Sequence, residues 1–204
     1  MAKKKSGKRQ PLLFYHRTMG RLWRITFVLG LVLAVTWGWR LVNTTGVYYI
    51  IGTDSWLLLG AILAFGLSFF AFFSRFLAFV QAHARHLHIS TPFLRLNVSY
   101  QRILSVRPLL VQQIFPKDEL KWAQRNYLEP FFGKTALIVE ITEYPMNPAL
   151  LKIFLPPQMF SKQVTGFVLL VPDWMQFTTE LDSYRGSFQQ EEKSRERANS
   201  LRSW

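Results

Sequence analysis

Three groups of side chains in this sequence have types and spacings that could do chemistry. His83, His86 and His88 suggest a metal site, Glu140 and Glu143 an acid pair, and Arg75, Arg85, Arg95, Arg102 and Arg107 a run of cations with no acid between them. Imidazole is the commonest metal ligand. Read as a helical continuation of residues 73 to 90, the stretch puts His83 and His86 on one face. A zinc-type site needs three or four convergent donors, however, and the nearest acid downstream is Asp118. The histidines therefore read as solvated residues of a basic segment, and no metal ligand is assigned. Glu140 and Glu143 fall on a strand-like stretch, where an odd spacing points side chains to opposite faces, so they read as surface charges.

No Gly-rich phosphate loop, HExxH helix or GxSxG elbow occurs. The expectation is a protein without catalytic residues or cofactor. With no cysteine in the chain, disulfides and thiolate metal sites are excluded.

The arginines lead to the elements that must position them. Half of the 204 residues are hydrophobic, yet the net charge is +13, a combination that segregation explains. Residues 1 to 24 hold eight Lys and Arg and no acid, and residues 75 to 107 hold five Arg and no acid. Between them lie two apolar runs, LWRITFVLGLVLAVTWGWRL at 22–41 and SWLLLGAILAFGLSFFAFF at 55–73. A bilayer core of about 30 Å needs roughly 20 apolar residues, so both runs are long enough to span. Arg24 and Arg40 can reach headgroups from the ends of the first, and Trp23, Trp37 and Trp39 suit the interface. A cleaved signal peptide fits the first run poorly, because no small-x-small site follows it.

Basic flanks stay on the cytoplasmic side. Both termini are therefore expected in the cytoplasm, with the chain an integral protein of the plasma (inner) membrane and the turn at 42–54 outside. Asn43-Thr-Thr matches the glycosylation pattern but lies too near the bilayer to carry weight. Gly30 and Gly38 in the first run, and Gly60, Ala64 and Ser68 at every fourth position of the second, allow close helix approach. The neighbouring helix is the expected partner, and pairing between copies of the chain is the second option. No Asp, Glu, Lys or His sits in the middle of either run, so the hairpin reads as an anchor and not as an ion path.

The remaining organisation follows in order. Residues 1–21 form a basic leader expected to be disordered, 22–74 the hairpin, 75–88 a juxtamembrane connector, 89–188 a mainly β domain, and 189–204 a polar, frayed helical tail. Alternation at 94–100 predicts a strand with one buried face, and further strands are expected at 136–142, 151–155 and 167–171. A helix is expected over 116–129, between Pro116 and Pro130. Another starts after Asp173, a good N-cap, and carries Trp174, Phe177, Leu181 and Tyr184 as an apolar stripe that must cover something.

Ser99-Tyr100-Gln101-Arg102-Ile103-Leu104-Ser105-Val106-Arg107-Pro108 has the form polar-aromatic-x-Arg-Ile-x-x-Val. Together with a β domain beside a membrane hairpin and an amphipathic C-terminal helix, it resembles the bacterial pleckstrin-homology-like (PH-like) membrane proteins. The resemblance covers residues 89 to about 188, and the helix at 116–129 departs from the compact pattern. It implies an α+β membrane protein, a two-helix transmembrane hairpin followed by a mainly β barrel or sandwich with a C-terminal capping helix. It also implies a non-enzymatic interaction module whose cytosolic domain binds a membrane or cytosolic protein partner or anionic lipid headgroups. No family site transfers residue by residue, and nucleic acid is not an expected partner. Arg75, Arg85, Arg95, Arg102 and Arg107 are the candidate lipid contacts, since each basic residue near an anionic surface contributes about 1 kcal/mol. Serving only the insertion rule is the rival role for these arginines. The alternative function is an accessory subunit of a transporter or secretion complex, docking through the small-residue face of the second helix.

Overall fold

The computed structural model of the protein describes residues 6–43, 55–161 and 163–202. Two units emerge, one comprising Tyr15–Leu77, the other joining the chain up to Phe14 to the chain from Ala78 onward. Of the outer turn expected at 42–54, residues 44–54 lie outside the described residues, and Val42 and Asn43 end the first helix.

The first unit holds α1 (Leu13–Asn43) and α2 (Ser55–Leu77), about 46 and 34 Å long at 1.5 Å per residue. Helix α1 starts at Leu13 and not at Leu22, because hydropathy marks only the apolar part of a helix and the single Gly20 does not interrupt it. Its added turns carry Arg17 and Arg21, which share a face with Arg24. The helices run antiparallel. Ser68 Oγ donates to the Trp23 carbonyl at 2.9 Å, Trp23 meets Phe72 edge to face, and Gly30 lies so close to the Phe65 ring that a Cβ there would come within 3.2 Å. Ala61, Ala64, Ser68 and Ala71 are buried along α2. The small-residue face is thus taken by the neighbouring helix, as expected. Ile25, Val28, Leu29 and Val32 on α1, with Leu59, Ile62, Leu63 and Phe69 on α2, face outward. Among the described residues these two helices are long and apolar enough to cross a membrane.

The second unit is α+β. Strands β1 (Gln10–Pro11), β2 (Phe79–Ala82), β3 (His86–Ser90) and β4 (Arg95–Ser99) form one antiparallel sheet in that order. A 3-10 turn at Tyr100–Arg102 leads into β5 (Ile103–Leu110), which pairs with β6 (Thr135–Ile141), and β6 pairs with β7 (Gly166–Leu169) in a second antiparallel sheet. Short helices α3 (Val111–Ile114) and α4 (Trp122–Leu128) join β5 to β6, α5 (Pro148–Phe154) joins β6 to β7, and α6 (Trp174–Arg202) closes the chain. The two sheets are separate and do not close into the expected barrel.

Several expectations need correcting. Residues 75–88 do not continue a helix beyond Leu77; they turn into β2 and β3. Buried Leu87 and Ile89 alternate with half-exposed His86 and His88, a period of two that the three histidines disguise. Residues 7–13 of the leader are not a disordered segment but hydrogen-bond to the chain beyond α2. Gly7 N donates to the Ala82 carbonyl at 2.8 Å, Leu12 N to that of Ala78 at 3.2 Å, and Leu13 N to that of Leu170 at 3.0 Å. Burial of Leu12 and Phe14 and the open edge of β2 outweigh the charge run that argued for disorder.

The stretch 151–155 is part of a helix and not a strand. Asn147 caps it by accepting from Ala149 N at 3.0 Å, and Pro148 suits the first turn. The helix expected over 116–129 is broken. A 3-10 turn at Lys117–Glu119 precedes α4, whose N-cap Lys121 is extended, and Trp122 is left 80% exposed. The tail continues α6 unbroken to Arg202.

Helix α6 begins as predicted, with Asp173 Oδ1 accepting from Gln176 N at 3.0 Å. It touches β2 of one sheet and β6 of the other. Phe177 and Leu181 are fully buried, while Trp174 and Tyr184 are half-buried. Arg185 Nη2 donates to the carbonyls of Ile103 and Leu104 at 2.9 and 2.8 Å, where the β5 register slips between Ile103 and Ser105. A bulge leaves carbonyls outside the ladder, and the guanidinium satisfies two of them. Phe177→Ala or Leu181→Ala is expected to cost about 2 to 5 kcal/mol, as large-to-small core changes do. Denaturant unfolding in detergent measures this, with exposed Met175→Ala as control and Trp174→Ala falling between. Unchanged stability in both core variants would contradict the capping role of α6.

Candidate functional site

The strand register gives the first sheet two distinct ends. Pro11 pairs with Phe79, Phe79 with Ser90, and Ser90 with Arg95. That row is the end at which both helices of the hairpin join the sheet, since Leu13 opens α1 and Leu77 closes α2. The β2–β3 turn, with His83 and Arg85, and the Tyr100–Arg102 turn stand at the opposite end. Four residues of strand separate the two, about 13 Å.

The far end brings the three histidines together. The His83 and His86 rings stack at 5.0 Å with 20° between planes, and His88 lies 5.7 Å from His83 and 6.4 Å from His86. His88 and Asn97 are cross-strand partners, and His88 Nδ1 donates to Asn97 Oδ1 at 2.6 Å. Stacked rings face each other instead of converging their lone pairs. Among the described residues no group of three such side chains could hold a metal ion. Burial first, then the charges of His88 and Arg9, lowers the His83 pKa, and burial followed by His83 and His88 lowers that of His86.

Tyr100, the aromatic of the Ser-Tyr-x-Arg-Ile motif, is buried beneath this cluster. Its hydroxyl donates to the His83 carbonyl at 2.5 Å, and burial, then Tyr184, raises its pKa. The motif thus closes the β2–β3 turn. Beside it an open groove is lined by Arg85, Gln101, Glu191, Glu192 and Arg195, with Gln101 Nε2 donating to Glu192. The mixed signs give it no preference for an anion.

The five predicted arginines are not gathered in one patch. Arg75 belongs to the helical hairpin, where its guanidinium lies over the rings of Phe72 and Phe76 at 4.2 and 4.6 Å. Arg85 and Arg102 are exposed at the far end of the first sheet. Arg107, on the edge strand of the second sheet, lies 3.9 Å from Glu140, whose carboxylate also accepts from Ser105 Oγ at 2.7 Å. Glu143 lies beyond the end of β6 and is exposed. Arg95 alone stands at the end where the hairpin attaches, exposed on the polar face of β4.

Two residues that sequence reasoning missed share that end. The turn Thr91–Leu94 is closed by Thr91 Oγ1 donating to the Leu94 carbonyl at 3.0 Å and presents Phe93 to solvent. Phe93 packs on Phe154 of α5, ring centroids 6.3 Å apart. Lys152 is exposed on the same helix. The signal available was Leu150, Ile153 and Phe154 at helical spacing in a stretch with no acid from Tyr144 to Pro172.

The histidine cluster sets a pH dependence. A histidine with the ordinary value of 6.5 takes up its proton in the unfolded chain before His83 and His86 do in the folded one. Stability is then full above about pH 7, falls as pH drops through 6.5, and levels off below the folded values. The melting temperature in detergent is expected to fall between pH 7.5 and 5.5, and more shallowly in a His83→Gln, His86→Gln variant. Equal slopes in the two proteins would contradict the cluster's role.

Comparison of the chain with protein-family models, curated proteins and solved structures finds no match.

Proposed function

We propose that this protein is a non-enzymatic, membrane-anchored interaction module. In this reading α1 and α2 span the plasma (inner) membrane as a hairpin with both termini in the cytoplasm. The second unit is a PH-like cytosolic domain that meets anionic headgroups or a protein partner. The observation that carries the reading is the pairing of β1 with β2. Because the chain before α1 and the chain after α2 belong to one folded unit, a spanning hairpin must leave and return on one face of the bilayer. The flanking charges point that face inward. Lys8, Arg9, Arg17 and Arg21 precede the apolar part of α1 and Arg24 lies at its start, Arg75, Arg85 and Arg95 follow that of α2, and no acid accompanies either group.

The outward apolar side chains of both helices suit lipid and would be costly in water. For the domain, support comes from two antiparallel sheets bridged by α6. The subunit alternative drew on the small-residue face of α2, and α1 occupies that face.

A reporter active only in the cytoplasm is expected to work when fused after Trp204 and to fail when inserted beside Gly46, and the reverse pattern would contradict the reading. On purification in mild detergent the chain is expected to elute alone. A stoichiometric membrane partner would instead favour the accessory-subunit function.

A further inference from the structure

We infer that the turn Thr91–Leu94 and helix α5 together form a bilayer-inserting patch, in which Phe93, Leu150, Ile153 and Phe154 enter the interface and Arg95 and Lys152 meet anionic headgroups. The inference rests on the anchoring proposed above and deepens it by naming the surface that meets lipid. Four observations carry it.

The first is exposure. Phe93 is 55% and Ile153 73% exposed, large apolar groups of a kind that soluble surfaces do not usually cluster. The second is geometry. Leu150, Ile153 and Phe154 fall at helical spacing on one face of α5, while Leu151 and Leu155 fill the core from the other. The contact between Phe93 and Phe154 joins the turn to that face in one patch.

The third is place. The row that pairs Pro11, Phe79, Ser90 and Arg95 is the end of the sheet to which both candidate spans are attached, and the Thr91–Leu94 turn projects from it. Arg85 and Arg102 stand about 13 Å further along the strands, beyond a Debye length of roughly 8 Å. Of Arg85, Arg95 and Arg102, Arg95 is therefore the one placed to contact headgroups. The fourth is charge. No acid occurs between Asp54 and Asp118, or between Glu143 and Asp173, so both segments of the patch meet an anionic surface without repulsion. Apolar side chains flanked by cations are the composition of an interfacial anchor.

The cysteine-free chain allows a direct test on the full-length protein in nanodiscs containing phosphatidylglycerol. Single variants Phe93→Cys, Ile153→Cys, Arg85→Cys and Leu29→Cys, each carrying an environment-sensitive fluorophore, are exposed to lipids with a nitroxide quencher near the top of the acyl chain. Labels at 93 and 153 are expected to be quenched several-fold more than the label at 85. Changing Arg95 and Lys152 to Glu, or replacing phosphatidylglycerol with phosphatidylcholine, is expected to reduce the difference. Quenching at 29 with none above the level of 85 at 93 and 153 would overturn the patch and leave the anchor standing. That pattern would leave the apolar face to a protein partner. Absence of quenching at 29 as well would overturn the anchor and the patch together.

Discussion

The structure depends on one closure, the backbone pairing of residues 7–13 with the chain that follows α2. Gly7 reaches Ala82 and Leu12 reaches Ala78, while Gln81 Nε2 donates to the Gly7 carbonyl at 2.6 Å. The segment between Pro11 and Phe79 is nearly seventy residues long. Closing so long a loop as random chain costs about 4 kcal/mol beyond a constant. An antiparallel helix pair already brings its two ends side by side, so the hairpin removes most of that cost before the sheet forms. The approach at Gly7 is close, since a Cβ there would come 3.1 Å from the Ala82 carbonyl oxygen and would displace the Glu180 carboxylate. That carboxylate accepts from Lys8 N at 2.9 Å, which ties the same segment to α6.

The rest of the domain builds outward from this closure. The Tyr127 hydroxyl donates to the Phe14 carbonyl at 2.7 Å, where the first turn of a helix is entering and its neighbours are buried. The second sheet protects its own edge. Strand β5 carries Pro108, the exposed Arg107 and a bulge, features that discourage pairing with another chain. Arg185 holds that bulge from α6. At the start of β7, Gly166 approaches β6 so closely that a Cβ would collide with the Val139 carbonyl oxygen, so a larger residue cannot occupy the position without moving the strand.

The parts legible in the sequence were those with one strong period or length. The two apolar runs, the alternating β4 and the stripe on α6 each satisfy a single physical requirement over many residues. Strands β2 and β3 were misread because polar histidines occupy the half-exposed positions of a short hairpin, and local pattern alone does not distinguish that from a polar helix. Strand β1 was missed because its stability comes from β2, far along the chain. For α5, the Asn-Pro start was visible but its seven residues were too few to outweigh an apolar run. The site was least legible. Arg95 and Arg85 look alike in sequence, and only the strand register separates the end that bears the hairpin from the end that does not. Phe93 and Phe154 meet through tertiary packing that no spacing announces.

The central claim is that the two flanks of the hairpin pair within one folded unit, and disulfide trapping in intact membranes tests it most directly. Antiparallel partners lie about 4.5 to 5.5 Å apart at Cα, within the range a disulfide spans, and the chain has no cysteine of its own to interfere. Oxidation of the Pro11→Cys, Phe79→Cys variant is expected to link the two positions rapidly and completely, whereas Pro11→Cys with Arg85→Cys, at the far end of the sheet, stays reduced. Failure of the first pair to cross-link, or equal linking of both pairs, would contradict the account.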